Sequence, residues 1–189
     1  MRRKDREVTN RNEILEIIRR CDVCRIGLID DDGTPYIVPL NFGVDADDEI
    51  TLYFHSATEG HKLDLIAKNN RASFEMDCRH ELQYFEDKGY CTMSFESVMG
   101  KGTIRILNDE EKLDALKKLM RQYHGGQDNG HHGNQASGHH GGQAGGQHGG
   151  QAGGQHGSED VYFSTAAIPR TTVFALTVDT ITAKRKLPK

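Results

Sequence analysis

No stretch of this 189-residue chain approaches the ~18–20 consecutive apolar residues that a membrane span needs. The opening MRRKDREVTN is charged where a secretory signal would be apolar. Neither a membrane association nor export is predicted, so the expected location is cytoplasmic. An excess of one charge is missing too. The 24 Lys+Arg stand against 28 Asp+Glu, a formal charge of −4. That balance gives no general attraction to nucleic acid or to an anionic membrane. Hydrophobic residues are scarce, at 35%, below the usual share of a globular domain. Cysteines number only four: Cys21, Cys24, Cys78 and Cys91. A cytosolic chain of this size needs no disulfides. Cys21 and Cys24 form a C-x-x-C, yet no second pair completes a zinc set, and Cys24 enters a strand-like run instead of opening a helix. Both read as small buried hydrophobes, and no metal ligands are predicted there.

What is present is mostly strand. The first element is a helix over 11–20. Asn10 caps it, Glu13 follows at capping-box spacing, and Ile14, Leu15, Ile17 and Ile18 make one apolar stripe. Strands are predicted over 23–30, 34–44, 50–56, 71–77, 90–107 and 171–178. Asp31-Asp32-Gly33 reads as a tight turn. Pro35 and Pro39 each remove a ladder donor, so the strand over 34–44 should be bent, bulged or at an edge. A short helix is expected over 59–68. A longer one runs from Asn108 or Asp109 to Tyr123, with Leu113, Leu116, Leu119 and Met120 on one face. Residues 184–189 read as a basic tail.

From His124 to Ser158 the chain is almost only Gly, His, Gln and Ala, with the near-repeat GGQAGGQHGGQAGGQHG. Such residues build no core, and the glycines carry a large ordering entropy. Residues 124–158 therefore read as a flexible insertion, which accounts for much of the hydrophobic shortage. The segment holds seven of the ten histidines. Neutral imidazole suits Ni, Cu and Zn, so transition-metal binding and a low-complexity expansion both fit it. Residues 1–123 and 159–189 then form one domain. Its class is mainly β: an antiparallel β-barrel with peripheral helices.

The stretch Phe54-His55-Ser56-Ala57-Thr58-Glu59-Gly60-His61-Lys62 carries the most chemistry. A strand ends in small polar residues and turns into a helix, whose start offers unpaired N–H groups and a positive dipole end. Ser56 and Thr58 add hydroxyls; His61 and Lys62 add positive groups. Together they suit a phosphate monoester, and they also fit an ordinary helix start with a solvated lysine. Val38-Pro39-Leu40-Asn41 is odd inside a strand and suits either a planar ligand or an edge bulge. Around Ser97 and Val98, Gly100 and Gly102 permit a close backbone approach or a barrel corner.

In order, MRRKDREVTN, GTPYIVPLNFG, LYFHSATEGHKLDLIAKN, SFEMD and SVMGKGTIRIL resemble the nitroimidazole-resistance-type proteins. These belong to the pyridoxamine 5′-phosphate oxidase-like, FMN-binding split-barrel superfamily. The likeness runs through most of 1–123; beyond 158 only a final β-rich segment matches, and the family lacks the Gly/His/Gln insertion. The resemblance implies a homodimer with FMN at the interface. By position it puts Ser56 and Lys62 on the flavin phosphate, with Ala57 and His61 beside them. It puts Pro39, Leu40 and Asn41 at the isoalloxazine ring. Ser97 and Val98 would approach FMN from the barrel, from the same subunit or its partner. His55 would lie next to flavin and substrate as a proton donor or hydrogen-bonding group. The implied function is an FMN-dependent oxidoreductase acting on a small molecule, most concretely a nitro-group reductase. A flavin-binding or sensing protein without turnover, and a metal-handling protein acting through 124–158, are the alternatives, because this fold hosts several chemistries.

Overall fold

The computed structural model describes residues 3–124 and 165–188. All but the first residue of the expected insertion lie outside the described residues. The helices are α1 (Arg11–Arg20), α2 (His61–Lys68) and α3 (Asp109–His124). The strands are β1 (Glu7–Val8), β2 (Cys24–Ile29), β3 (Pro35–Leu40), β4 (Gly43–Asp45) and β5 (Thr51–Ser56), then β6 (Arg71–Phe85), β7 (Tyr90–Ile106) and β8 (Thr172–Lys186). They form one antiparallel sheet in the order β3-β2-β6-β7-β8-β5-β4, with β1 added to β8. β3 and β4 sit at opposite ends of that order, yet only Asn41 and Phe42 separate them in the chain. The sheet therefore curls until its ends meet at this corner, which makes a barrel.

The expected strand over 34–44 is thus two strands. The prolines put the first half on the barrel's edge, where no ladder donor is wanted on the free side. Phe42, fully buried, then turns the chain inward. Helix α1 forms as its stripe predicts: Ile14, Leu15, Ile17 and Ile18 are all buried. The Asn10 carboxamide oxygen accepts from the N–H groups of Asn12 and Glu13. Glu13 does not return the bond; its carboxylate lies 3.3 Å from Arg185.

Two strands run further than periodicity suggests. β6 continues to Phe85 through a register shift between Cys78 and Glu81, where Arg79 takes a left-handed backbone at φ 56°. The shift changes the alternation phase, so the polar run after Asp77 hides the strand. β8 continues through the basic tail, because Arg185 meets the buried Glu96 at 2.7 Å. β7 bulges between Lys101 and Gly102. A side chain at Gly102 would fall on the Thr177 carbonyl, and one at Gly100 on the Phe74 ring. Inside the barrel, Phe42, Leu52, Phe54, Ile26, Met76, Val98, Phe174 and Leu176 form the core with the α1 stripe. Among the described residues no helix is long and apolar enough to cross a membrane.

Candidate functional site

α2 follows β5 after a short link, and its first turn reaches across to the β2–β3 turn. His61 Nε2 lies 3.1 Å from the Asp30 carboxylate, and its ring meets Tyr36 of β3 edge-on at 5.0 Å. Lys68 at the other end pairs with Asp31. The Ser56–Lys62 segment therefore spans from β5 to the β2–β3 edge, where the barrel's two ends approach. Its helix start is bare. The cap is Gly60 at φ 140°, with no side chain bonding back, and a side chain added there would meet only open space. The Gly60 carbonyl accepts from Leu63 and Asp64. The N–H groups of His61 and Lys62 have no acceptor among the described residues, and the half-buried Lys62 has no partner among them either. Such a start, with a positive dipole end and an ammonium beside it, can attract an anion. Ser56 at present donates to the Ala57 carbonyl at 2.8 Å. His61 is less available than the sequence suggests, since Asp30 occupies its ring nitrogen.

Pro39, Leu40 and Asn41 lie at the far end of β3 from Tyr36, on the order of 10 Å along the strand. β3 pairs with β2 alone, so its other edge offers unpaired backbone groups. The corner beyond Leu40 is clamped by residues that sequence reasoning missed. The hydroxyl of the half-buried Tyr123 donates to the Asp22 carbonyl and accepts from the Phe42 N–H, both at 2.9 Å. Burial raises this phenol's pKa, which keeps its proton on the oxygen. Asn41 Nδ2 also reaches the Asp22 carbonyl at 3.5 Å. Gln122 donates to the carbonyls of Ile18, Arg19 and Cys21, which seats α3 on the end of α1. Both residues fall in the last turn of an expected helix, and their long reach to α1 and β4 leaves no local signal.

His55 and Ser56 share the strand end but alternate onto opposite faces. His55 is exposed, yet neighbouring atoms desolvate its ring and lower its pKa below the ordinary histidine value. It is therefore a neutral imidazole at neutral pH, with one donor and one acceptor nitrogen. In an NMR titration, the His55 ring should titrate below ~6.5. The sign follows: above that value the ring is neutral in both states. As pH falls, the unfolded chain takes the proton first, so His55's contribution to stability is lost on acidification. A His55 midpoint at or above the free-histidine value overturns this.

Ser97 and Val98 are placed differently. Val98 is fully buried in the barrel core, so its side chain is closed to any ligand from outside. Ser97 pairs with Lys184 near one end of β8, whereas Ser56 pairs with Thr172 at its other end. These points lie about 40 Å apart along the strand. Ser56, Ala57, His61 and Lys62 lie on the one segment that links β5 to the first turn of α2, Pro39–Asn41 lie on and just beyond the free-edged β3, and Ser97 and Val98 lie on β7, far from Ser56 along β8 in the same chain. Among the described residues no group of three or more His, Cys, Asp or Glu side chains is arranged to hold a metal.

The chain matches the family model described as pyridoxamine 5′-phosphate oxidase over residues 10–138. No curated protein matches it. Among solved structures it is similar to a candidate 5-nitroimidazole antibiotic resistance protein of Bacteroides thetaiotaomicron. That match has 28% identity and a TM-score of 0.66, covering 94% of this chain and 85% of the other. It is also similar to an FAD and heme binding protein of Mycobacterium smegmatis, at 16% identity and TM-score 0.69 over 97% and 74% of the two chains. A flavocytochrome of Azotobacter vinelandii matches at 13% identity and TM-score 0.67 over 100% and 72%. At their identities the last two show a shared fold alone.

Proposed function

The chain belongs to the pyridoxamine 5′-phosphate oxidase family, and on that premise we propose that it is an FMN-holding flavoprotein, an oxidoreductase of small molecules in the manner of a nitroimidazole reductase. The observation that carries this reading is the bare first turn of α2, with Lys62 beside it unpartnered among the described residues. A phosphate monoester fits there: two backbone donors, an ammonium and the Ser56 hydroxyl converge from one segment. A ribityl chain then spans to the free edge of β3, whose backbone groups near Pro39, Leu40 and Asn41 suit the polar rim of a planar ring. The mononucleotide is favoured over FAD because no Gly-rich dinucleotide turn joins a strand to a helix in the sequence. Bound flavin supplies hydride or single-electron transfer. The chain's own part is to position it and to offer the neutral His55 imidazole, whose ring N–H can hydrogen-bond a polar substrate group.

The proposed assembly is a homodimer with FMN between the copies. Ser97 supports it, because one chain cannot bring Ser56 and Ser97 to the same ligand along β8. The outward face of β3, β2 and β7 carries Ile37, Ile29 and Met99, each more than half exposed. A two-fold contact over this face would place one copy's β7 against the other's β3 edge. Flavin loss and dimer dissociation should then be coupled. Light scattering over a dilution series, with and without FMN, reads this; a monomer at full flavin occupancy refutes the shared site.

The visible spectrum of purified protein, followed by chromatography of the released cofactor, tests the main reading. Oxidised-flavin bands and released FMN are expected. Recovery of FAD overturns the mononucleotide assignment, and no uptake after incubation with FMN overturns the flavoprotein reading itself. Lys62→Ala should weaken FMN binding by ~1.5–3 kcal/mol, the range for a hydrogen bond to a charged group. An unchanged affinity removes Lys62 from the phosphate seat. Anaerobic reduction of a nitroimidazole by the flavin-loaded protein supports turnover; bound FMN that never turns over makes this a binding protein.

A further inference from the structure

A second concentration of reactive side chains lies where the end of α1 meets β6 and β7. Cys21 is the C-cap of α1 and is fully buried; its thiol lies 3.2 Å from the Ile17 carbonyl. Cys78 is half-buried and is the last residue of β6 in register before the bulge. Far apart in sequence, the two side chains are neighbours: Cys78 packs against the core cluster that holds Cys21, and each thiol shifts the other's titration. The C-x-x-C spacing points elsewhere: Cys24 faces the barrel core from β2, and Cys21 finds its partner on β6.

The surroundings favour reaction at Cys78. Glu96 sits opposite it on β7, 1% exposed, with Oε2 3.9 Å from the Cys78 sulfur. Three guanidiniums converge on that one carboxylate: Arg20 at 2.8 Å, Arg185 at 2.7 Å and Arg79 at 3.8 Å. Arg20 adjoins Cys21 in sequence and Arg79 adjoins Cys78, so each thiol has a guanidinium nearby, the kind of neighbour that favours a thiolate. The Cys78 thiol is pulled below its ordinary pKa, first by its neighbour Cys21 and then by Arg20 and Arg79, against its burial and Glu96. Cys21, beside Cys78 and deeply buried, has its pKa pushed up and keeps its proton, which it donates to the Ile17 carbonyl. One sulfur is thus a nucleophile and the other its proton-bearing neighbour.

We propose that Cys21 and Cys78 are a peroxide-reactive pair that closes reversibly into a disulfide. The Cys78 sulfur attacks one oxygen of hydrogen peroxide and breaks the O–O bond. The departing hydroxide takes up the proton that Cys78 has shed and leaves as water, and Cys78 becomes a sulfenic acid. The Cys21 sulfur then attacks the Cys78 sulfur and expels its hydroxyl, which takes the Cys21 proton and leaves as a second water. Two thiols lose two electrons and two protons; one peroxide gains both and becomes two waters. A thiol reductant reverses the step. The link would tie the end of α1 to the root of the β6–β7 hairpin.

The test uses the full chain, reduced, freed of reductant and titrated with hydrogen peroxide. Remaining thiols are blocked and tryptic peptides mapped without reduction. The expected product is a chain lighter by two hydrogen atoms, with the Cys21–Arg25 peptide joined to the Ala72–Arg79 peptide. Fragmentation must place the link on Cys21 and not Cys24, and dithiothreitol must undo it. In Cys21→Ser the reaction should stop at a sulfenic acid on Cys78, trapped by dimedone. A link between Cys21 and Cys24, a chain-to-chain link through Cys91, or oxidation of Cys91 while both Cys21 and Cys78 stay reduced overturns the proposal. The mapping of the unsubstituted chain decides the matter whether or not Cys21→Ser folds.

Discussion

Glu96→Ala is expected to lower the unfolding free energy by ~3–5 kcal/mol, the cost of breaking a buried ion pair from one side. Glu96 is the one charged residue buried in the described chain, and it ties the end of α1 to the paired strands β6, β7 and β8. Arg20 comes from the end of α1, Arg185 from the end of β8 and Arg79 from the β6 bulge. The side chains of Arg20 and Arg185 are 27% and 22% exposed, too little for water to replace the lost carboxylate in full. Arg185 also holds Glu13 at the first turn of α1, so α1 loses support at both ends. A small domain commands only ~5–15 kcal/mol in total, which makes this loss large. Urea unfolding measures it. A change below ~1 kcal/mol would mean that the guanidiniums hydrate freely and that the cluster does not hold α1 and β8 together. Glu96→Gln keeps the shape and some of the hydrogen bonds, and should fall between the two.

The sequence is readable where a pattern is local and hard to read where a partner is distant. The α1 stripe, the Asp31-Gly33 turn and the limits of β5 follow from periodicity and turn chemistry within one window. The edge position of β3 follows from Pro35 and Pro39. The division of 34–44 does not, because it depends on Phe42 entering a core built from other strands. The same applies to β6 beyond Asp77. There one bulge reverses which residues face inward, and the strand's true partner, the first half of β7, lies across a hairpin. The candidate site divides similarly. Ser56, Ala57, His61 and Lys62 are neighbours in sequence, on the segment from the end of β5 to the start of α2. His61's engagement with Asp30, the Tyr123 clamp on Asp22 and the nearness of Cys21 to Cys78 join elements far apart in the chain. A lone sequence shows the residue types in those contacts but not the pairing.

Gly43→Ala should be nearly as damaging as Glu96→Ala, and for a steric reason that reaches the candidate site. A methyl group at Gly43 would lie 2.5 Å from the Leu119 backbone nitrogen and 2.6 Å from the Leu119 Cα and the Lys118 carbonyl carbon. These are backbone atoms of a helix, so no rotamer change relieves the contact and α3 must move off β4. Overpacking alone costs ~1–3 kcal/mol. Moving α3 also withdraws Tyr123 from Phe42 and Asp22, and Lys118 from Asp45, to which it lies at 2.5 Å. Each hydrogen bond lost adds ~1 kcal/mol, so a total of ~3–5 kcal/mol is expected. The Asn41–Phe42 corner loses its clamp in the same step, and the β3 end beside Pro39 and Leu40 with it. FMN affinity should therefore fall together with stability. Tyr123→Phe separates the two causes: it removes the clamp without the clash and should cost only ~1–2 kcal/mol. Chemical denaturation with and without FMN reads both variants. If Gly43→Ala unfolds within ~0.5 kcal/mol of the parent, α3 is not seated on β4 and the corner is held by something other than Tyr123. If it is destabilised but binds FMN as tightly as the parent, the β3 end takes no part in holding the ring.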